Sequence, residues 1–204
     1  MSIYVDISAA AHGRAGLGRY SANLARSLLK LDAGQQEPHR FALFYNRDRT
    51  TRPVEGLETA PTKTLRAGYK PWRMAVWLGQ LTRADFSRLI PGADLFHATE
   101  HLLMPLRDVP TVLTVHDLIY HLFPQYHRRL NYTYLNAAMP LYVQRADAVI
   151  TVSESSKEDL VRLYSVDPEK VTVIYEAASA HLKPAAREDV DRVRQSTAFP
   201  RASW

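Results

Sequence analysis

The chain has 204 residues, 46% of them hydrophobic, enough for one substantial core and few for two full lobes. It contains no cysteine, which excludes disulfides, thiolate nucleophiles and Cys-ligated zinc. A formal net charge of +5 favours anionic partners, but there is no zinc-finger spacing, aromatic RNP-like strand or basic recognition helix, so nucleic acid is not an expected partner.

No apolar run approaches the roughly 20 residues of a membrane-spanning helix, and Met1–Asp6 lacks the pattern of a signal peptide. The expected location is cytoplasmic, with the inner face of a membrane as the place for any peripheral contact.

In chain order, Ile3–Ile7 reads as a strand, apolar on both faces as buried parallel strands are. The segment Gly13-Arg14-Ala15-Gly16-Leu17-Gly18-Arg19-Tyr20 follows and opens a helix over Gly18–Leu31, where Tyr20, Leu24, Leu28 and Leu31 recur at helical spacing. Gly16 and Gly18 would let the backbone approach a ligand, and the helix N-terminus would offer free N–H groups to phosphate. The order G-x-x-G-x-G is not the dinucleotide fingerprint, and no Walker lysine follows. Tight strand-to-helix packing is the competing explanation of these glycines.

Asp32–Pro38 and Arg47–Val54 read as exposed loops on either side of a strand at Phe41–Tyr45. Arg66–Ile90 interleaves Lys70, Arg73, Arg83 and Arg88 with Tyr69, Trp72, Trp77, Leu78, Leu81 and Phe86. Such a segment either lies on an anionic membrane surface or is an ordinary helix with its tryptophans packed inward.

Strands follow at Leu95–His97 and Thr111–Val115, and the second runs into His116-Asp117-Leu118. A histidine at a strand end points into the ligand crevice of an α/β sheet, where it can bond a sugar hydroxyl or meet charge developing at a reacting carbon. Asp117 either fixes its tautomer or caps the next turn. His97 and His101 are four residues apart, yet His97 ends a strand and no H-E-x-x-H pattern exists, so no metal site is expected.

The last strands are Ala148–Val152 and Val171–Ile174, with Ser153 as N-cap of a helix over Glu154–Tyr164. A Ser-His-Asp hydrolase is disfavoured, because Thr151-Val152-Ser153-Glu154-Ser155 is no G-x-S-x-G elbow. Asp189-Val190-Asp191 sits in a charged, helix-like tail and reads as a solvated face. This alternation of strands and helices predicts an α/β fold: a doubly wound, mainly parallel sheet with helices on both faces.

Several segments together resemble family-4 glycosyltransferases, the retaining group with the GT-B fold. They are Gly16–Tyr20 with the helix Ser21–Leu29, Asp94–His97, Thr111–Leu118, Arg145–Lys157 and Lys170–Ala178. The resemblance implies a Rossmann-like, acceptor-side N-terminal lobe over 1–184, with 185–204 as a linker to a C-terminal donor lobe. It implies transfer of a hexose, of mannose or glucose type, from a nucleoside diphosphate sugar to a glycan or lipid-linked acceptor, without cofactor or metal. Gly16 and Gly18 would lie near the donor phosphates and His116 would face the donor sugar as the catalytic residue. His97, His101, Asp117, Ser153 and Glu154 are the expected substrate contacts, and the loops Glu100–Asp108 and Ile119–Arg129 the expected acceptor side. Cleft closure needs both lobes, so the 204-residue chain is expected to be nearly inactive alone. A stand-alone glycan or lipid-acceptor binding module, peripherally membrane-associated, is the alternative.

Overall fold

A computed structural model describes residues 1–178 and 182–197. Its strands are β1 (Ser2–Asp6), β2 (Arg40–Arg47), β3 (Thr62–Arg66), β4 (Leu95–Ala98), β5 (Thr111–Val115), β6 (Ala148–Thr151) and β7 (Val171–Val173). All pair in parallel in one sheet of order β3-β2-β1-β4-β5-β6-β7. The helices are α1 (Ser8–Ala11), α2 (Ala15–Asp32), α3 (Tyr69–Thr82), α4 (Ile119–Leu122), α5 (Arg129–Arg145), α6 (Glu154–Tyr164) and α7 (Arg187–Thr197).

Successive residues of a strand face opposite sides, and both sides are buried here. On β1, Tyr4 joins a large cluster with Trp72 and Val76 of α3, Met139 and Tyr142 of α5 and Leu160 of α6. Its neighbour Val5 joins a smaller cluster with Leu43 of β2 and Ala25 of α2. The doubly wound α/β sheet expected from the sequence is therefore the fold. The residues that α2 buries are all small, Gly18, Ser21, Ala22 and Ala25, so its axis can lie close to its neighbours.

Two longer elements go beyond the expected ones. β3 reads Thr-Lys-Thr-Leu-Arg and is an exposed edge strand, blunted by charge rather than marked by apolar residues. α5 buries Leu135, Ala138, Met139, Tyr142 and Val143, a helical spacing interrupted by Pro140.

Of the two readings of Arg66–Ile90, Trp72 follows the inward one: it is buried in the core, and Trp77 is half-buried against it. A different apolar set, Met74, Leu78 and Leu81, is exposed on α3 at helical spacing. In α7 the acidic pair Asp189 and Asp191 faces Arg192 and Arg194 one turn on, as a solvated helix face does. The expected linker 185–204 extends past the described residues, and 198–204 lie outside them.

Candidate functional site

Chain order along the sheet reverses between β1 and β4: from β1 the chain winds outward to β3, and from β4 it winds the other way to β7. Ligands of such sheets bind in the crevice outside the carboxyl ends of the strands at this switch point. Here the crevice is built by the segments after β1 (residues 7–18), after β4 (Thr99, Glu100, His101), after β5 (His116), after β6 (Ser153) and after β7 (Glu176).

His116 is held on three sides. Its Nε2 lies 3.1 Å from the carbonyl oxygen of Thr99, and its Nδ1 lies 3.2 Å from Oε1 of Glu176. Tyr20 meets the ring edge-on, with centroids 4.6 Å apart. The His116 carbonyl accepts a hydrogen bond from Ser156 Oγ at 3.0 Å, so the backbone is pinned too. Asp117 does not touch the imidazole; its Oδ1 accepts from the backbone N–H of Ile119 at 3.1 Å. Asp117 thus holds the turn that leads into α4, whose N-cap is Leu118, and the ring is positioned by Glu176 and Thr99.

The glycine segment divides its work. Gly13 has a φ of +65°, a left-handed turn that lets the chain leave α1 and start α2. A Cβ on Gly18 would stand 2.9 Å from the carbonyl oxygen of Ala9, so its missing side chain is explained by the packing of α2 on α1. A Cβ on Gly16 would meet nothing within 4 Å, and Gly16 is exposed in the first turn of α2. That turn has no side-chain cap, and the N–H groups of its first residues have no partner within the helix. An anion approaching this segment would meet Gly16 rather than Gly18.

The other expected contacts are placed unevenly. His97 is buried, with Nε2 2.9 Å from Thr114 Oγ1, and burial holds its pKa down at about 4, so it is a neutral core residue. His101 lies beside the site, its ring 6.2 Å from that of His116, and its Nε2 is enclosed without a partner. Ser153 caps α6 by accepting from Ser156 N at 3.1 Å. Glu154 is exposed in the first turn of α6, where its charge faces the positive end of the helix dipole.

The sequence reading missed several residues that the crevice brings in. Asp6 is the last residue of β1, buried, and accepts from Ser8 N at 2.7 Å. Burial, reinforced by the charge of Glu100, pushes its pKa up to about 7. Glu100 is 3% exposed, and burial raises its pKa against the opposing pull of Arg14 and Arg73. Tyr69 is pushed up to about 12, mainly by burial. An acid two residues past the end of an apolar strand, where ligands of such sheets gather, is the sequence signal that could have marked Glu100. Glu176 lies after a short strand at the far edge of the sheet, and only the fold carries it to His116. A cavity of about 730 Å³, lined by Arg107, Thr111, Arg145 and Asp147 among others, opens at the opposite ends of the strands and shares no residue with the crevice.

Residues 14–179 match the family model described as Glycosyltransferase Family 4. The chain belongs to this family. No curated protein sequence matches it. Among solved structures it is similar to HepE from Anabaena in complex with UDP and glucose, with 18% identity and a TM-score of 0.52, over 97% of this chain and 50% of that one. HepE in complex with UDP-glucose gives 16% identity and a TM-score of 0.52, again over 97% and 50%. A glycosyltransferase from Rickettsia africae gives 15% identity and a TM-score of 0.47 over 98% and 50%. At these identities the HepE likeness establishes the fold, the Rossmann-like lobe of a GT-B protein. The family-4 chain described here spans half the length of these solved chains.

Proposed function

We propose that this family-4 chain is the acceptor-side lobe, over residues 1–184, of a retaining hexosyltransferase that uses a nucleoside diphosphate sugar. The observation that carries the reading is His116, fixed at the carboxyl end of β5 by Thr99 and Glu176 and next to the switch point. In this reading the leaving diphosphate gains negative charge as the sugar becomes oxocarbenium-like, and preorganised N–H donors at Gly16 stabilise the former. His116 orients the donor sugar. HepE has been crystallised with UDP and with UDP-glucose, which makes a uridine donor the first to try. The acceptor is a glycan or lipid-linked sugar, no metal or other cofactor takes part, and the location is cytoplasmic.

Donor contacts from a second lobe complete the site, so the chain alone turns over slowly if at all. The test is nucleotide release from UDP-, GDP- and ADP-hexoses with oligosaccharide or lipid-linked acceptors, by the complete two-lobe protein and by this chain. Release that needs the second lobe and drops at least a hundredfold in His116→Ala supports the reading. Unchanged transfer by His116→Ala removes that residue from the mechanism, and no release from any donor removes the transferase reading.

One observation favours an added membrane contact at the inner leaflet, whether in the transferase or in a stand-alone acceptor-binding module. Met74, Leu78 and Leu81 form an exposed apolar stripe on α3, with Lys70 and Arg83 exposed at its two ends. Binding of the chain to anionic vesicles that weakens at high salt is expected, and indifference to anionic lipid rejects it.

A further inference from the structure

Beside the glycine segment the crevice holds a group of charged side chains that the donor reading leaves unused. Asp6 and Glu100, at the ends of β1 and β4, are 2% and 3% exposed. Oε1 of Glu100 has no hydrogen-bond partner, and its Oε2 is 4.0 Å from Nη1 of Arg14. The Arg14 guanidinium lies 4.1 Å from the ring centre of Tyr69. Arg73 flanks the same ring at 5.3 Å and covers Tyr134 at 3.9 Å. Arg73 donates to Oδ1 of Asn131 at 3.1 Å, and among the described residues it forms no ion pair.

Two guanidiniums gathered around one tyrosine repel each other, and the cation–π contacts they make are only weakly favourable. A buried polar atom left without a partner adds a further cost. Native proteins rarely carry such an atom without a use for it. Burial raises both Asp6 and Glu100, and the charge of Glu100 raises Asp6 further. Arg14 has Glu100 at ion-pair distance, whereas Arg73 has no carboxylate partner among the described residues and is the cation left to take an anion. Arginine's fixed fork of donors suits planar or tetrahedral oxyanions.

The geometry points to a subsite in which Arg14 and Arg73 bind an oxyanion carried by the acceptor, a phosphate or a carboxylate, with the free Glu100 Oε1 meeting a hydroxyl of the same ligand. There Glu100 Oε1 accepts a hydrogen bond from that hydroxyl, which gives this buried atom the partner it lacks in the folded chain. The subsite lies at the switch point, next to the glycine segment where the donor phosphates are placed. It rests on the transferase reading for the statement that its ligand is the acceptor.

The test titrates the 204-residue chain at constant ionic strength with glucose 6-phosphate, glucuronate and methyl glucoside, followed by amide NMR shifts. At least one of the two anions is expected to bind saturably and at least tenfold more tightly than methyl glucoside. Binding by glucose 6-phosphate alone assigns a phosphorylated acceptor, and binding by glucuronate alone a uronate. Arg73→Gln should weaken the anion at least tenfold, while Lys63→Gln on the exposed edge strand leaves it unchanged. If Arg73→Gln does not fold, Arg14→Gln gives the same reading from a half-exposed position. Equal binding of methyl glucoside, insensitivity to loss of either arginine, or no saturable binding overturns the proposal. Donor turnover by the two-lobe protein on neutral acceptors is measured separately. Turnover without anion binding leaves the transferase reading standing and removes this one; anion binding without turnover on any acceptor does the reverse.

Discussion

His116 presents both ring nitrogens to oxygens, Nε2 to the Thr99 carbonyl at 3.1 Å and Nδ1 to the Glu176 carboxylate at 3.2 Å. The Thr99 carbonyl and the Glu176 carboxyl oxygen both offer an acceptor to the ring, so the two contacts compete for its N–H and Glu176 draws that hydrogen to Nδ1. Glu176 therefore selects the form of the ring as well as its orientation. In Glu176→Ala, Nδ1 loses its acceptor while Thr99 keeps its place at Nε2, and the neutral Nε2–H tautomer becomes the preferred form. Long-range nitrogen–proton spectra of the chain at one fixed pH should show the Nδ1 signal moving to the unprotonated range in the variant. Identical ring-nitrogen shifts in both proteins would mean that Glu176 does not govern the ring.

Gly16 and Gly18 stand two residues apart in one motif, yet the structure gives them opposite tolerances. A methyl group on Gly18 would press on backbone atoms, 2.9 Å from Ala9 O and 3.2 Å from Ala10 Cα, which cannot swing aside. Overpacking of this kind costs about 1–3 kcal/mol, which outweighs the roughly 1 kcal/mol that alanine gains over glycine in a helix. Gly18→Ala should unfold at lower urea, with a net loss of up to about 2 kcal/mol. Gly16→Ala enters open space and should be as stable as the parent, or slightly more so. If Gly16 borders the donor phosphates, its alanine variant loses nucleotide release in the two-lobe protein without losing stability. Equal stability of the two variants would contradict the packing argument.

Most of the fold was legible because parallel strands buried on both faces write themselves as short apolar runs, as Thr111–Val115 and Ala148–Thr151 do. β3 was not, because an edge strand with exposed lysine and threonines carries no such run. α5 carried the pattern, Leu135 to Val143, but Pro140 inside it argues locally against a helix that the core nevertheless stabilises. At the site, His116 was visible from its place at a strand end. Its partners were not, because Thr99 and Glu176 are 17 residues before and 60 residues after it and meet it only through sheet order. Arg14 was legible only as part of the glycine segment and Arg73 only within the basic-aromatic stretch; their convergence on Tyr69 depends on α3 crossing beside the glycine segment.

Titration of the core gives a prediction that needs no ligand. Asp6 has a folded pKa of about 7 against an ordinary value of 3.8, so the folded chain holds that proton more tightly than the unfolded one. Its contribution is fully stabilising below the lower value and is lost as pH rises towards the upper one. His97, held at about 4 against 6.5, acts in the other direction: its contribution is present above 6.5 and is lost as pH falls towards 4. In Asp6→Asn the side-chain oxygen can still accept from Ser8 N, while the cost of ionising a buried acid disappears. Relative to the parent, this variant should gain stability steadily between about pH 4 and 7, by on the order of 2–4 kcal/mol at the upper end. His97→Gln should show its largest relative gain at the acid end, between pH 6.5 and 4, because the parent must there keep an unprotonated imidazole in its core. Urea midpoints measured across this range for the three proteins check both slopes. Curves that run parallel to the parent would show that Asp6 and His97 titrate alike in the folded and unfolded chains.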